Sequence, residues 1–356
     1  MGEVADIYDG THQTPTYVKS GVRFVSVENI NSLANTEKFI TKEAYEKEYK
    51  VKPKKGDLLM TRITAGIIGA TAIIQDNEPL AYYVSLALIR VRKGYKVNFL
   101  QYRIESSQFK KELNKRIIHV AFPKKINLGD IHACTIAFPT IAEQEKIASF
   151  FSLLDERIQT QNKIIGNLET LINNFRRRLF NKKLSFRLES HKTEWKEYTI
   201  SEILKIGSGK DYKHLNTGKI PVFGTGGLMT FVDKYLYNGE TVCIGRKGTI
   251  DKPMYHNGKI WTVDTLFYTH SFKNCIPKFV FHLFKTIKWL EYKEASGVPS
   301  LSKSTIEKIR IRVPTIKEQE IIVSFLGEID NKIQLEKSIL EKFIQNKNYL
   351  LKQMFV

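Results

Sequence analysis

The chain has 356 residues, enough for two or three domains that each bury their own core. Lys and Arg number 56 against 37 Asp and Glu, and the formal charge of +19 predicts a polyanionic partner such as a nucleic acid. The absence of a long apolar run and the acidic N-terminus exclude a membrane span and a signal peptide, so a cytoplasmic location is expected. The three cysteines lie far apart and form no CxxC pair, so neither a disulfide framework nor a zinc site is indicated.

Residues 1–140 form the first predicted globular domain. Short β-type runs broken by Gly, Asn and Pro, mixed with a few helical stretches, are typical of an α+β domain. A later strand of this domain ends at Thr61 and Arg62, which are candidate DNA-binding residues. The loop after its first strand carries further candidates: Tyr8, His12 and Gln13. A satisfied structural turn is the alternative interpretation of each.

Residues 141–181 are predicted to be a long helix, followed by a polar linker at 182–194. Apolar residues recur in alternating steps of four and three, interrupted at Gln161, which is a heptad seam. The seam includes Ile147, Leu154, Ile158, Ile165 and Ile172. The helix ends in a basic run, Arg176, Arg177 and Arg178, continued by Lys182 and Lys183. Two interpretations of this run stay open: interaction with the helix dipole, and contact with DNA phosphates.

Residues 195–314 form the second predicted globular domain, of the same texture. The turn GRKGT places Arg246 and Lys247 beside glycines that let the backbone approach a phosphate closely, and arginine is the commonest reader of guanine. The loop after the first strand of this domain adds three candidates for DNA contact: Lys210, Tyr212 and Lys213. An ordinary solvated loop is again the alternative.

Residues 315–356 are predicted to be a second long helix. Its opening, PTIKEQEIIVSFL from Pro314, repeats PTIAEQEKIASFF from Pro139. The same steps give a second seam, interrupted at Glu336 and Lys347, with members Ile322, Ile329, Ile333 and Leu340. Neither helix can bury such a stripe alone, so we predict that the two pair antiparallel as a coiled coil. The alternative is that each packs on its own domain.

The two globular domains also echo each other. The strand that ends at Arg62 resembles the strand that ends at Arg246, and Ser85 aligns with Asp264 in the ungapped comparison of the following run. The predicted fold is therefore α+β, with two globular α/β domains joined by two long helices in a pseudo-two-fold internal repeat.

Catalytic signatures are absent from the sequence. It contains no phosphate-binding G-x-x-x-x-G-K-[ST] loop, no N-P-P-[YF] run of an adenine methyltransferase, and no H-E-x-x-H metal motif. We expect a chain that is non-catalytic by itself and holds no cofactor.

The twin P-T-I-x-E-Q-E helices, the GRKGT turn, the TVDTLFY run, the SGVPSLS segment and their tandem order resemble the specificity (S) subunits of type I restriction-modification systems. This resemblance covers essentially the whole chain. It implies two target-recognition domains that each read one half of a bipartite duplex DNA sequence. It also implies that the helices form a spacer and dock methyltransferase (M) subunits, two of them, with restriction/translocase (R) subunits as further partners.

By the same resemblance, the chain would target a DNA adenine methyltransferase and ATP-dependent endonuclease complex in host defence. S-adenosylmethionine, ATP and Mg are expected in the partner subunits. The second domain opens with WKEYTISEI, whereas the chain starts with GEV, so the first domain is expected to have a shortened leading segment. A stand-alone tandem nucleic-acid-binding protein and a coiled-coil scaffold remain the alternative functions.

Overall fold

The computed structural model describes residues 1–181, 195–294 and 297–355. The chain divides into two compact units, one of Met1–Asn162 with Ile339–Val356 and the other of Lys163–Ser338. Each unit holds one globular α+β region and part of both long helices, and the two units repeat one architecture. The predicted linker at 182–194, with Lys182 and Lys183, lies outside the described residues.

The globular region of the first unit contains nine strands and four helices. The strands are β1 (Ala5–Asp9), β2 (Val22–Val25), β3 (Phe39–Ile40), β4 (Leu58–Thr61), β5 (Ile63–Thr64), β6 (Thr71–Ile73), β7 (Leu80–Tyr82), β8 (Leu86–Val91) and β9 (Lys124–Lys125). The helices are α1 (Lys42–Glu48), α2 (Val97–Glu105), α3 (Ser107–Asn114) and α4 (Leu128–His132), with a 3-10 turn at Val27–Asn29.

These strands form a four-stranded antiparallel sheet in the order β1-β8-β4-β6 and two smaller sheets, β3-β2-β7 and β5-β9. The central strand β4 is buried along its whole length because its LLMT sequence contributes apolar side chains to both faces. One face packs against α2, α3 and α4, and the other against the β3-β2-β7 sheet. The ends of β1 and β4 place the predicted loop residues of this unit.

The second unit continues the numbering. Its strands are β10 (Lys196–Thr199), β11 (Lys205–Ser208), β12 (Thr217–Gly224), β13 (Gly227–Val232), β14 (Tyr237–Gly245), β15 (Met254–Thr262), β16 (Leu266–His270) and β17 (Arg310–Val313). Its helices are α6 (Ile200–Ile203), α7 (Pro277–Phe284) and α8 (Lys303–Glu307), with a 3-10 turn at Trp289–Tyr292. A six-stranded sheet runs β11-β16-β14-β15-β12-β13, and β10 pairs separately with β17.

The long helices are α5 (Ile141–Phe180) and α9 (Ile316–Met354), of 40 and 39 residues. In the first unit the rings of Phe151 and Phe355 stack 5.9 Å apart, and Asp155 binds Lys347 at 2.7 Å. The partner number falls as the α5 number rises, so the helices run antiparallel there. The second unit shows the same order, since Phe175 meets Phe325 and Glu169 accepts from Lys337 at 2.6 Å.

The heptad seams are the buried or half-buried stripes of both helices, as the predicted coiled coil requires. Gln161 and Glu336, the polar interruptions, are each 7 % exposed. The alternative of two separate helices does not hold, but each helix also packs on a globular region, because Phe151 contacts Tyr102 of α2 and Leu179 belongs to the core of the second globular region. The same apolar stripe makes both contacts.

The glutamine of each P-T-I-x-E-Q-E segment ties its long helix to a neighbouring helix. The Oε1 atom of Gln144 accepts from the backbone N–H of Lys96 at 3.0 Å, just before α2, and its Nε2 donates to the Pro139 carbonyl at 2.9 Å. Gln319 repeats this with the N–H of Ile276 at 2.8 Å, before α7, and the Pro314 carbonyl at 3.0 Å. The repeated motif therefore fixes how each long helix leaves its globular region.

No helix among the described residues combines the length and apolar character needed to cross a membrane.

Candidate nucleic-acid interface

The turn after β14 in the second unit presents two cations to solvent. Arg246 is exposed, while its backbone is fixed by two hydrogen bonds, from its N–H to the Thr265 carbonyl at 2.7 Å and from the Leu301 N–H to its own carbonyl at 2.9 Å. Lys247 forms a β-bridge with Ser300, and Gly248 supplies the positive φ of 92° that closes the turn. The backbone is held rigidly and the side chains project outward.

The guanidinium of Arg246 keeps most of its donors available. It makes one long hydrogen bond, Nη1 to the Asp264 carbonyl at 3.4 Å, and lies 5.9 Å from the centre of the Phe267 ring. Among the described residues it has no ion-pair partner. Arg246 and Lys247 line a cleft of about 830 Å³ together with Asp264, Glu294 and the serine-rich segment that precedes α8. Such a lining offers both donors and acceptors, as the edge of a base does.

The loop after β11 lies beside the end of β15. Its start is fixed because Lys210 donates its N–H to the Thr262 carbonyl at 2.9 Å, and its carbonyl accepts from Trp261 Nε1 at 2.8 Å. At Gly209 a Cβ atom would lie 1.9 Å from the Val263 carbonyl oxygen, so only glycine fits. The side chains of Lys210 and Lys213, two of the candidates for DNA contact, are exposed.

Tyr212 of this loop has a different role. It is half-buried and packs in a small core with Val222 and Trp261. Its ring therefore anchors the loop that carries the two lysines, and only its exposed part can meet a ligand.

In the first unit the equivalent arginine is buried, which counts against the DNA contact predicted for it. Arg62 is 6 % exposed, and its Nη2 binds both carboxylate oxygens of Asp9 at 2.9 and 3.1 Å. Thr61 is 2 % exposed, and its hydroxyl donates to the Ile67 carbonyl at 2.7 Å. Base contact by Thr61 or Arg62 would require the side chain to leave these hydrogen-bond partners.

The remaining predicted residues of the first unit stay accessible. His12 and Gln13 are exposed, and Tyr8 is half-buried on β1. His12 Nε2 lies 2.8 Å from Asp9 Oδ2, so the carboxylate that holds Arg62 also orients the imidazole. Asp9, which the sequence did not single out, is the centre of this arrangement.

Backbone hydrogen bonds establish that the two arginines are equivalent. Arg62 donates to Ser85 and accepts from Ile126, both at 2.9 Å, as Arg246 does with Thr265 and Leu301. This pairing corrects the ungapped comparison by one residue, since Ser85 corresponds to Thr265 and not to Asp264.

The residue equivalent to Asp9 is Ser208. Asp9 pairs with Ala87 on β8 and Ser208 with Phe267 on β16, one residue after the first residue of each strand. The second unit thus lacks the carboxylate that binds the arginine in the first, and Arg246 is exposed.

Two aspartates at repeat-equivalent places organise the helix pair. Asp155 accepts from Tyr102 at 2.9 Å and from Lys347, whose ammonium also meets Glu105 at 3.0 Å. Burial opposes the charge of Lys347, but the carboxylates of Glu105 and Asp155 outweigh it and raise its pKa.

In the second unit Asp330 takes the corresponding place. It receives both its bonds from Arg176 Nη2, at 3.1 and 3.0 Å, and Arg176 Nε donates to His282 Nδ1 at 3.3 Å. Burial, with added repulsion from Arg176, lowers the pKa of His282 to about 3. Arg176 is therefore buried in an ion pair and supports neither interpretation of the basic run, whereas Arg177 and Arg178 are exposed.

The sequence carried a signal for these residues. Asp155 and Asp330 recur at the same place of the repeat, as do Gln144 and Gln319, and a polar residue repeated beside an apolar seam indicates a specific partner.

No group of side chains able to hold a metal ion occurs within 1–181, 195–294 and 297–355. The three cysteines are buried and unpaired, and burial raises the pKa of the Cys243 thiol to about 12.

The family model described as "Type I restriction modification DNA specificity domain" matches residues 1–170 and 192–343. A putative type I restriction enzyme MjaX specificity subunit of Methanocaldococcus jannaschii is 24% identical over 338 residues, which cover 83% of this chain and 76% of the relative. The type I restriction enzyme EcoprrI specificity subunit of Escherichia coli is 24% identical over 169 residues, 44% of this chain and 40% of that protein. The match thus spans two-fifths of the Escherichia coli relative.

Two solved structures share the fold. The crystal structure of a type I restriction-modification S subunit from M. genitalium superposes with a TM-score of 0.63 at 20% identity, over 100% of this chain and 94% of that one. A structure described under complex assembly and conformational transition of the type I R-M system gives a TM-score of 0.57 at 14% identity, over 99% and 96%. The repeated α+β units, the paired helices and the family match on both halves agree, and the chain belongs to the type I restriction-modification DNA specificity family.

Proposed function

We propose that this chain is the DNA-reading subunit of a type I restriction-modification complex and binds a bipartite duplex sequence, one half-site per globular region. The observation that carries the proposal is Arg246, an exposed arginine on a rigid turn with no carboxylate partner among the described residues. The charge of +19 and the exposed lysines of the neighbouring loop supply the phosphate attraction that such binding needs.

In this proposal the chain performs no chemistry. It acts in the cytoplasm as the targeting subunit of a DNA adenine methyltransferase, whose subunits, two in number, dock on the helix pair. Restriction/translocase subunits complete the cleaving form. S-adenosylmethionine, ATP and Mg act in those partner subunits, and this chain holds none of them.

The two halves read DNA through different groups. Arg246 and the lysines at 210 and 213 serve the second half-site. In the first, His12, Gln13 and the exposed part of Tyr8 remain available, whereas both carboxylate oxygens of Asp9 already accept from Arg62.

The test is methylation mapping in cells that express the chain with its cognate methyltransferase. We expect one bipartite motif, and Arg246→Ala relaxes or abolishes one half of it, at about 1 to 3 kcal/mol for a lost bidentate contact. Arg310→Ala is the matched control, because Arg310 is an exposed arginine of the same unit that pairs with Glu197.

An unchanged motif in Arg246→Ala would remove this residue from the reading surface. Methylation without any bipartite motif, or equal binding of single strands and duplex by the complex, would refute the proposed function.

A further inference from the structure

The most exposed large apolar side chains of the described residues lie together in the first unit. Val120 is 98% exposed and Phe122 is 92% exposed, on a loop that we call the wedge loop, residues 118–125. Ile67, the next at 71%, lies on the adjoining turn, because β5 pairs with β9 and brings Thr64 opposite Lys124.

The wedge loop is closed and anchored. Ile118 donates its N–H to the Lys125 carbonyl at 2.8 Å across the base of the loop. The next residue, Ile126, is fully buried and donates to the carbonyl of Arg62. The loop is therefore anchored to the backbone of the candidate interface. Its apolar tip is exposed to water, which is unfavourable in free energy unless an apolar partner covers it.

The surroundings of the tip select the kind of partner. A cleft of about 470 Å³ lies between the loop and α3, and its lining combines lysines and apolar residues with Ser107, Asn114 and His119. Three exposed lysines line it, Lys110, Lys111 and Lys124, and Lys125 of the loop is exposed as well. Glu112 of α3 is already bound by Arg116 at 2.6 Å and by Lys115 at 3.4 Å. A partner that fits this surface has anionic groups for the lysines and an apolar interior for the tip of the loop. Duplex DNA has both, because its phosphates surround stacked base pairs.

We propose that Phe122 is a wedge that inserts between adjacent base pairs of duplex DNA beside the first half-site, with the surrounding lysines on the phosphates. The proposal rests on the proposed function and adds a mode of recognition to it. An apolar side chain that enters the stack partly unwinds and kinks the duplex, so sequence is read through its deformability as well as through base edges. Because Arg62 is buried, other groups must contribute to recognition of the first half-site.

The experiment uses the complex of the full chain with its methyltransferase subunits and a closed plasmid that carries tandem copies of the motif found by methylation mapping. After relaxation by topoisomerase and removal of protein, the linking number reports unwinding. We expect Phe122→Ala to lose at least about half of the unwinding and to bind a duplex of the motif about tenfold more weakly. Phe122→Trp, which keeps a flat apolar ring, retains both.

The substitutions should leave the melting temperature unchanged, because the Phe122 side chain makes almost no contact with the rest of the protein. Normal unwinding and affinity in Phe122→Ala would overturn the wedge and leave the proposed function intact. The wedge would equally be overturned if Phe122→Ala lost only capture of the methyltransferase subunits, or only binding to phosphatidylglycerol vesicles. A wild-type complex without motif-specific binding would refute the proposed function itself.

Discussion

The two equivalent arginines of this chain have opposite fates. Arg62 and Arg246 share the same backbone hydrogen bonds at the end of equivalent strands, yet the first is buried against Asp9 and the second faces solvent. The two halves differ at the end of the strand that lies one strand away in the sheet, which carries Asp9 in the first half and Ser208 in the second. A duplicated framework can therefore keep its fold while a single carboxylate decides whether an arginine is structural or available.

The helix pair shows the same kind of difference: equivalent aspartates are bound by different residues in the two units. Asp155 and Asp330 are equivalent, but the first is held by Lys347 and Tyr102 and the second by Arg176, which also donates to His282. In each unit the cation comes from the other long helix, so each pair links the two helices.

The openings of the long helices differ as well. In the second unit Glu318 is 1% exposed and accepts from Trp195 Nε1 at 3.0 Å, under the strand pair β10-β17. The equivalent Glu143 is exposed and accepts from the Thr140 hydroxyl at 2.8 Å. In the first unit the ring of Phe138 packs on that of Phe99 at 5.1 Å. In the second unit Trp195 packs on Phe279, the equivalent of Phe99, at 6.1 Å.

The largest expected effect tests the ion pair of the second unit. Asp330→Ala leaves the buried guanidinium of Arg176 without its carboxylate, and we expect a loss of about 3 kcal/mol in the free energy of unfolding. Urea unfolding followed by tryptophan fluorescence measures it, because all three tryptophans lie in this unit.

Arg176→Leu is the matched comparison, since Leu351 is the residue at the equivalent place of the other helix. It removes the buried charge and leaves an aspartate that is 36% exposed, so we expect a loss of only about 1 kcal/mol. Equal losses in the two variants would show that the pair acts through packing alone.

The second prediction tests the glutamine that the repeat shares. Gln319 is fully buried, and its side chain serves the Ile276 N–H and the carbonyls of Asn274 and Pro314. Gln319→Ala leaves these groups unsatisfied and should lower the unfolding free energy by about 2 to 3 kcal/mol. The same fluorescence assay reads it, with Glu320→Ala, an exposed neighbour, expected within about 0.5 kcal/mol of wild type. A small effect would mean that water replaces the lost side chain.

The third prediction concerns pH and separates the two units, because the first has Tyr102 where the second has His282. The pKa of His282 is lowered from 6.5 to about 3 by burial, so the unfolded state gains a proton below about pH 6.5 while the folded state does not. Protonation of the unfolded state therefore lowers the free energy of unfolding as the pH falls below about 6.5. We expect a loss of about 2 kcal/mol by pH 5 and none above the unfolded pKa.

His282→Asn keeps an acceptor for Arg176 but cannot titrate in this range. The difference in unfolding free energy between pH 7 and pH 5, again by tryptophan fluorescence, should shrink in this variant by about 2 kcal/mol. An acid loss of the same size in both proteins would assign it to other groups.

The smallest expected effect exchanges the residue that separates the two arginines. Ser208→Asp gives Arg246 the carboxylate that Arg62 has, and we expect the second half-site to be bound about tenfold more weakly, or about 1.4 kcal/mol. Ser201→Asp adds the same charge at an exposed position of α6 and is the control. Competition binding of duplexes altered in one half-site decides the matter, and equal weakening by both variants would assign the effect to net charge.

Sequence patterns were sufficient for the parts that repeat or that depend on periodicity. The two long helices, their seams and the tandem α+β organisation follow from local spacing, because a heptad stripe must be buried and a repeated segment must fold alike. The exposed cations Arg246 and Lys247 were found because a turn rich in glycine keeps its charged residues at the surface.

The site of the first half shows what local spacing in the sequence could not predict, the burial of an arginine. Arg62 and Arg246 end similar strands, and only the pairing of β1 with β8 brings Asp9, which is distant in sequence, to the guanidinium. Arg176 looked like one of three surface cations, but helix pairing buries it against Asp330. The sequence by itself determined the repeat, the helices and the basic charge. Which charges stay available was decided by tertiary contacts alone, because an ion pair forms between groups that the fold brings together and its energy depends on burial that no local pattern contains.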